Sequence, residues 1–496
     1  MPETQRMPEP RQAAPSTAAT RSPGALSPVT LSPVTLSPGA LGPGAWRAVA
    51  AAMFACGWGG NQFTPLLLMY RRLGGYSALS VDAFLGAYVV GLVPGLLLAG
   101  PVSDRRGRRP VLVAGTVASA VASLVLCFGG QSAWAIYAGR LITGFAVGIA
   151  MSVGSSWVKE LSSGTDGGLA ARRAALCQTA GFGLGAGVAG VLAQWGPWPM
   201  VSPYAVHILL TAAIPVLLLR VPETRPARAG GSVRELLGAL ADDLRVPAPA
   251  RRRFRLVVLP MAPWVFGAAG LAYAVTPQLV GFRVGHWGLA YATGLTVLTL
   301  GTGAAVQPVA RWLHGDTKKR ETKKHGETKK PGETKNGDRK SGGTPALPHA
   351  DVGVAMAGGA GAGDGEAENV VGNSAAGART GRAPVVAMAV MLLGAALCAA
   401  NAVLLSPWLA AVTAAALGAG YGIAVVSGLL EIQRMAGPDD LAGLTGVYYM
   451  LAYAGFLLPT VLAGLSSWLS YPLMLAAVAA AALVCLGLVV TGARVT

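Results

Sequence analysis

The residues best suited to chemistry in this chain are charges crowded into one short stretch, Gly100-Pro-Val-Ser-Asp104-Arg105-Arg-Gly107-Arg108-Arg109-Pro110. Asp104 among four arginines invites charge-assisted hydrogen bonds, and Gly107 permits a tight turn between them. Asp104 could also rest on a helix N-terminus, worth roughly 0.3–1 kcal/mol when exposed and up to about 2 kcal/mol when partly buried. Glu160 is the candidate carboxylate for Arg108. Such a cluster makes and releases contacts; it does not make covalent bonds. An enzyme would need a nucleophile, an acid–base pair or a metal cluster converging on one place. The five histidines are scattered, three of them (His314, His325, His349) in one low-complexity stretch, and the five cysteines stand in apolar runs without C-x-x-C spacing. Neither a zinc site, a disulfide framework nor a cofactor is expected.

The elements that carry this cluster are apolar. Of 496 residues 53% are hydrophobic and 12% charged, about half the charged share of an ordinary soluble domain. Mean hydropathy is +0.52, too high for a disordered chain. From Trp46 onward, apolar stretches long enough to cross a bilayer recur. They fall at 46–70, 82–103, 110–129, 133–157, 171–194, 203–220, 256–280, 287–311, 384–404, 408–430, 441–466 and 471–492. The runs are continuous and do not alternate, so twelve helices are expected and a barrel is not. The net charge of +17 flanks these spans: 35 of the 39 Lys and Arg fall on the side of the termini and three (Arg71, Arg72, Arg283) on the other. The positive-inside rule therefore puts both termini in the cytoplasm, and a nucleic-acid role is not expected. Residues 1–44 read as a disordered Pro/Ser/Thr-rich tail without the apolar core of a signal peptide, so the first span is expected to direct insertion.

The chain repeats itself. An offset of 274 lays Arg105-x-Gly107-Arg108-x-Pro110 on Arg379-x-Gly381-Arg382-x-Pro384, then Gly144 on Gly418, Gly148 on Gly422 and Gly181 on Gly455. An offset of 212 lays Thr64-Pro65 and Arg71 on Thr276-Pro277 and Arg283. The implied organisation is a six-helix bundle at 45–221, a loop at 222–254, and a second bundle at 255–492 interrupted by a basic, low-complexity insertion at about 312–378. Two parallel halves of this kind put a substrate site near the bilayer midplane where they meet. In the second half Gln307 stands where Asp104 does, which predicts a charge latch confined to the first half.

Polar groups inside spans are costly and face the bundle interior. Asn61 and Gln62 in span 1, Tyr88 in span 2, Gln178 in span 5, Trp264 and Tyr273 in span 7, Tyr291 in span 8, Tyr421 in span 10, and Tyr449 and Tyr453 in span 11 are the substrate-cavity candidates. Arg140 in span 4 is a cation either coupled to function or snorkelling outward. Arg71, Arg283 and Asp82 mark the outer vestibule, where they attract an anion, close a gate, or are merely exposed. No carboxylate lies mid-span, so proton coupling would rest on Asp82, Asp104, Glu160 or Glu431.

The loop stretch resembles the major facilitator superfamily, whose signature there is G-x-x-x-D-[RK]-x-G-[RK]-[RK]; Gly100, Asp104, Arg105, Gly107, Arg108 and Arg109 match it throughout. Arg140, Gly144 and Gly148 match the family's R-x-x-x-G pattern in span 4. Gly181, Gly185 and Gly190 in span 5 look like the motif of its drug:proton antiporter branch, with Ala186 and Ala189 departing from it. The resemblance covers about residues 46–492 and implies a multi-pass, monomeric secondary transporter of the plasma membrane that works by alternating access. It moves a small molecule, with the proton gradient as energy source. Export of an amphipathic, drug-like compound is the leading expectation, uptake or facilitated passage of a sugar or organic anion the second, and a transporter-like sensor or scaffold the third.

Overall fold

The computed structural model describes residues 44–162, 167–225, 227, 238, 244–313, 382–436 and 441–494. Nearly all of the tail, most of the insertion, much of the loop at 222–254, and Asp439-Asp440 lie outside the described residues. The described chain is helical and forms twelve spans. The first, α1, runs over 45–72; it is followed by α2 (Ala78–Arg106), α3 (Arg108–Leu126), α4 (Ala133–Leu161), α5 (Gly167–Trp195) and α6 (Ser202–Leu219). The second six are α7 (Ala248–Arg283), α8 (Gly285–Ala310), α9 (Arg382–Leu404), α10 (Pro407–Met435), α11 (residues 441–465) and α12 (Tyr471–Arg494). Eleven of these are long and apolar enough in one piece to cross a membrane; α1 is the broken one. Large apolar side chains point outward, among them Val90, Leu209 and Val403, and Trp134, Trp408 and Trp468 are exposed near helix ends as in an interfacial belt.

The break in α1 was not expected, and its cause is Pro65. The α-helix ends at Asn61, and a tighter turn at Thr64–Leu66 leads into Leu67–Arg72, because proline has no N–H for the carbonyl four residues back. The repeat partner Pro277 is met differently: α7 widens into a π-turn at Leu271–Val275, and the Thr276 hydroxyl donates to the Leu271 carbonyl at 2.8 Å. Another π-turn, Ala150–Gly154, interrupts α4, and α11 tightens at Gly455–Leu457 just before Pro459.

Repeat-related glycines sit at repeat-related helix crossings. Gly181 brings α5 onto the α1 backbone at Phe54, and Gly455 brings α11 onto α7 at Pro263. Gly144 and Gly148 lay α4 against α2, while Gly418 and Gly422 lay α10 against α8. At each crossing a Cβ would run into backbone or a threonine hydroxyl of the facing helix, so only glycine allows the approach. The halves then meet through α2 with α11, at Gly86 beside Leu457, and through α5 with α8, at Gly190 beside Thr293. Gly185, against the Trp58 backbone, completes the α1–α5 contact, so the span 5 glycines are packing residues in this structure.

Candidate functional site

Between the halves lies a cavity of about 500 Å³ of space between atoms, open solvent at its mouth included. Its first-half wall is Gly60, Asn61, Thr64, Leu85, Tyr88, Arg140 and Phe182; its second-half wall is Phe266, Tyr273, Leu300, Tyr421, Tyr453 and Phe456. Proline explains part of this wall. Because α1 breaks after Asn61, the carbonyl of Gly60 is turned to accept from Arg140 Nη1 at 3.2 Å, and Asn61 donates to the Phe182 carbonyl at 3.0 Å. Asn61 Oδ1 in turn accepts from the Thr64 hydroxyl at 2.7 Å.

Arg140 is 1% exposed, which removes the snorkelling alternative. Its guanidinium lies over the rings of Phe63 and Tyr88, 4.6 and 4.5 Å from their centroids, contacts that favour a cation. Its Nε has no hydrogen-bond partner among the described residues, and no lining residue is acidic. Opposite stands an aromatic stack: Phe266 is parallel to Tyr453 at 4.2 Å and to Phe456 at 4.8 Å. Tyr453 donates to Met151 Sδ across the halves at 3.4 Å.

Of the cavity candidates named from the sequence, the structure brings Asn61, Tyr88, Tyr273, Tyr421 and Tyr453 together with Arg140. The others stand apart. Gln62 turns away to donate to Ser123 Oγ at 2.9 Å; Ser123 Oγ lies 2.7 Å from His207 Nδ1, and His207 Nε2–H donates to the Ala55 carbonyl at 2.9 Å. A carbonyl only accepts, so Nε2 carries a proton. Gln178 is buried against Gly57 between α1 and α5. Trp264 is buried in α7 outside the lining, Tyr291 donates to the Pro407 carbonyl at 2.6 Å, and Tyr449 packs 5.6 Å from Tyr448. Phe63, Phe266 and Phe456, which the sequence reading did not name, do more at this site than most of those candidates. Periodicity alone cannot distinguish a cavity aromatic from a core one.

At the terminal side, Arg108 Nη2 lies 2.8 Å from Asp104 and 3.0 Å from Glu160. Thr224 donates to Glu160, and Arg225 stands 3.6 Å from it. The sequence reading missed Glu223, whose carboxylate accepts from the backbone N–H of Arg108 at 2.8 Å and of Arg109 at 2.9 Å, capping α3 from outside its own helix. Gly107 has φ +98°, and a Cβ there would lie 2.6 Å from Glu223 Oε2. Gly100, one turn before Asp104, faces Ser152 of α4. Asp104 is half exposed. The second half, where the loop motif is degraded, carries a charge cluster of other residues: fully buried Glu431 of α10 pairs with Arg253 at 2.7 Å and Arg434 at 3.4 Å.

At the far side the halves are tied together. Arg71 donates to Gln278 Oε1 at 2.7 Å, Gln278 donates to Asp82 Oδ1 at 2.9 Å, and Thr460 donates to the Asp82 carbonyl at 2.7 Å. Arg72, which the sequence reading gave no site role, donates to the carbonyls of Gly281 at 2.7 Å, in the last turn of α7, and of Gly285 at 3.0 Å, where α8 begins. Gln194 adds hydrogen bonds to His286 and Ala290. Arg283 lies over Phe282 and takes no part.

The family model described as Major Facilitator Superfamily matches residues 27–325. A gallate transporter of Pseudomonas putida is 31% identical over 157 residues, 30% of this chain, and the match spans only a third (33%) of that relative's length. Among solved structures, nucleoside transporter NupG superposes with a TM-score of 0.58 at 13% identity, covering 91% of this chain and 97% of that one. A POT family transporter in complex with 5-aminolevulinic acid superposes with a TM-score of 0.62 at 11% identity, over 90% and 94%. At these identities the two structures speak for the fold alone.

Proposed function

This chain belongs to the major facilitator superfamily, and from that premise we propose that it is a secondary transporter taking up a small organic anion, an aromatic carboxylate above all, together with a proton. One observation carries the reading: Arg140, buried at the cavity wall with an open donor and no carboxylate among the lining residues. A charge taken out of water is costly unless paired. An anionic substrate supplies the missing partner, whereas a lipophilic cation, expected of a drug exporter, would meet repulsion. The stack of Phe266, Tyr453 and Phe456 offers a flat apolar surface opposite the guanidinium, suited to a ring whose carboxylate points at Arg140. The likeness to a gallate transporter supports the same class.

A single negative charge entering against an inside-negative potential costs about 2.3 kcal/mol per 100 mV, which a co-transported proton removes. Asp82, the buried acid where α2 meets α7 and α11, is the group proposed to carry it. Binding of the anion to Arg140 and to the second-half stack would draw the halves together around it, as alternating access requires. The Lys and Arg asymmetry supports placing the termini, and with them the Arg108 cluster, in the cytoplasm.

The test is uptake of labelled hydroxybenzoates into proteoliposomes with an imposed acid exterior, compared with labelled lipophilic cations and sugars. Saturable, gradient-driven uptake of the aromatic acids that Arg140→Gln abolishes is the expected result. Transport of cations or sugars in preference, unaffected by Arg140→Gln, overturns the reading.

A further inference from the structure

A second hollow lies away from the cavity, on the lipid-facing side of the first half. It is a crevice of about 610 Å³, open solvent included, between Leu98, Ala99 and Val102 of α2, Pro110, Val111 and Ala114 of α3, and Phe145 and Ile149 of α4. Its walls are carbon apart from one cation, Arg106, at the end of α2. Leu98 lies eight residues up α2 from Arg106, about 12 Å along the helix axis, so the crevice runs from the terminal-side interface toward the membrane middle.

The arginines of this loop differ in what they already hold. Arg108 pairs with Asp104 and Glu160, and Arg109 reaches the Leu219 carbonyl at 3.2 Å. Arg106 is exposed and makes no ion pair or hydrogen bond among the described residues. It also occupies the position that the loop signature leaves unspecified, between Arg105 and Gly107, so the latch does not require it.

We propose that this crevice binds one anionic phospholipid of the terminal-side leaflet, with an acyl chain along the α2–α3–α4 walls and the phosphate on Arg106. Apolar walls would accept the chain of any lipid, so only the cation selects among headgroups. A single juxtamembrane arginine near an anionic headgroup corresponds to about a fivefold preference.

The experiment uses the full-length chain, purified in detergent, stripped of lipid, and offered equal amounts of phosphatidylglycerol and phosphatidylcholine, with retained lipid counted by native mass spectrometry. The wild type should retain phosphatidylglycerol in about fivefold excess. Arg106→Gln, a change at an exposed side chain, should keep a bound lipid but lose the excess. Ala114→Trp, which fills the crevice, should lose the bound lipid; its thermal transition reports whether it has folded. Equal retention of both lipids by the wild type, or an undiminished excess in Arg106→Gln, overturns the assignment independently of which substrate the central cavity carries.

Discussion

Gln278 of α7 donates its amide to the Asp82 carboxylate of α2 at 2.9 Å while accepting from Arg71 of α1 at 2.7 Å, so one neutral side chain joins an acid and a base of the first half across the interface. Neither charge reaches the other directly in this arrangement. Gln278 therefore links the two charges without a direct ion pair, beside the contacts made by Thr460, Arg72 and Gln194.

Gln278→Ala should weaken outer closure. Two hydrogen bonds to charged groups are lost, each worth about 1.5–3 kcal/mol. A cysteine placed at Tyr273 should then be labelled at least tenfold faster by a membrane-impermeant thiol reagent from the far side. An unchanged labelling rate would show that Arg72 on the Gly281 and Gly285 carbonyls holds the halves together without it.

Arg140→Lys should separate charge from geometry. Lysine keeps the cation but loses the planar fork and the stacking on Phe63 and Tyr88. The KM for an aromatic carboxylate should rise about tenfold with the substrate class unchanged, while Arg140→Gln should remove uptake. Identical kinetics for wild type and both variants would exclude Arg140 from substrate binding.

Glu223→Ala should destabilise the loop between α2 and α3. It removes the acceptor for two backbone N–H groups at the start of α3, a cap worth about 1–2 kcal/mol, and leaves the Arg108 and Arg109 amides unsatisfied. A lowered apparent melting temperature in detergent is expected, and Gly107→Ala should lower it further, because φ +98° strains any residue with a Cβ and that Cβ meets Glu223.

His207→Gln should leave the pH profile of uptake between pH 5.5 and 8 unchanged while lowering thermal stability. Both of its nitrogens are already engaged, by Ser123 and by the Ala55 carbonyl, and it lies outside the cavity lining. A shifted profile would make it a proton carrier after all.

Gly144→Ala and Gly183→Ala form a matched pair. A Cβ at Gly144 runs into the α2 backbone at Tyr88, whereas one at Gly183 meets nothing within 4 Å. The first variant should fail to accumulate as folded protein in the membrane and the second should behave as wild type; equal expression of the two would overturn the packing account.

Much of the fold could be read from the chain because each step followed a local rule. Apolar length marked the spans, and the Lys and Arg bias separated the two sides. The 274-residue offset paired Gly144 with Gly418 and Gly181 with Gly455, which then appeared at matching crossings. The loop motif located Arg108 and its partner Glu160, since both lie where neighbouring spans end on the same side.

What the chain alone could not decide was direction around each helix and contact between distant helices. Asn61 and Gln62 are adjacent and equally polar, yet the break at Pro65 turns one to the cavity and the other to Ser123. Tyr453 and Tyr449 lie one turn apart, and only the first lines the site. Gln278, Arg72 and Glu223 carry no signature, because their partners are a carboxylate 196 residues away, helix-end carbonyls and helix-start amides. Burial with an unfilled donor, the property that points Arg140 to an anion, arises only when helices of both halves close around it. A linear pattern reports period and charge, whereas desolvation and pairing depend on what the fold brings within a few ångströms.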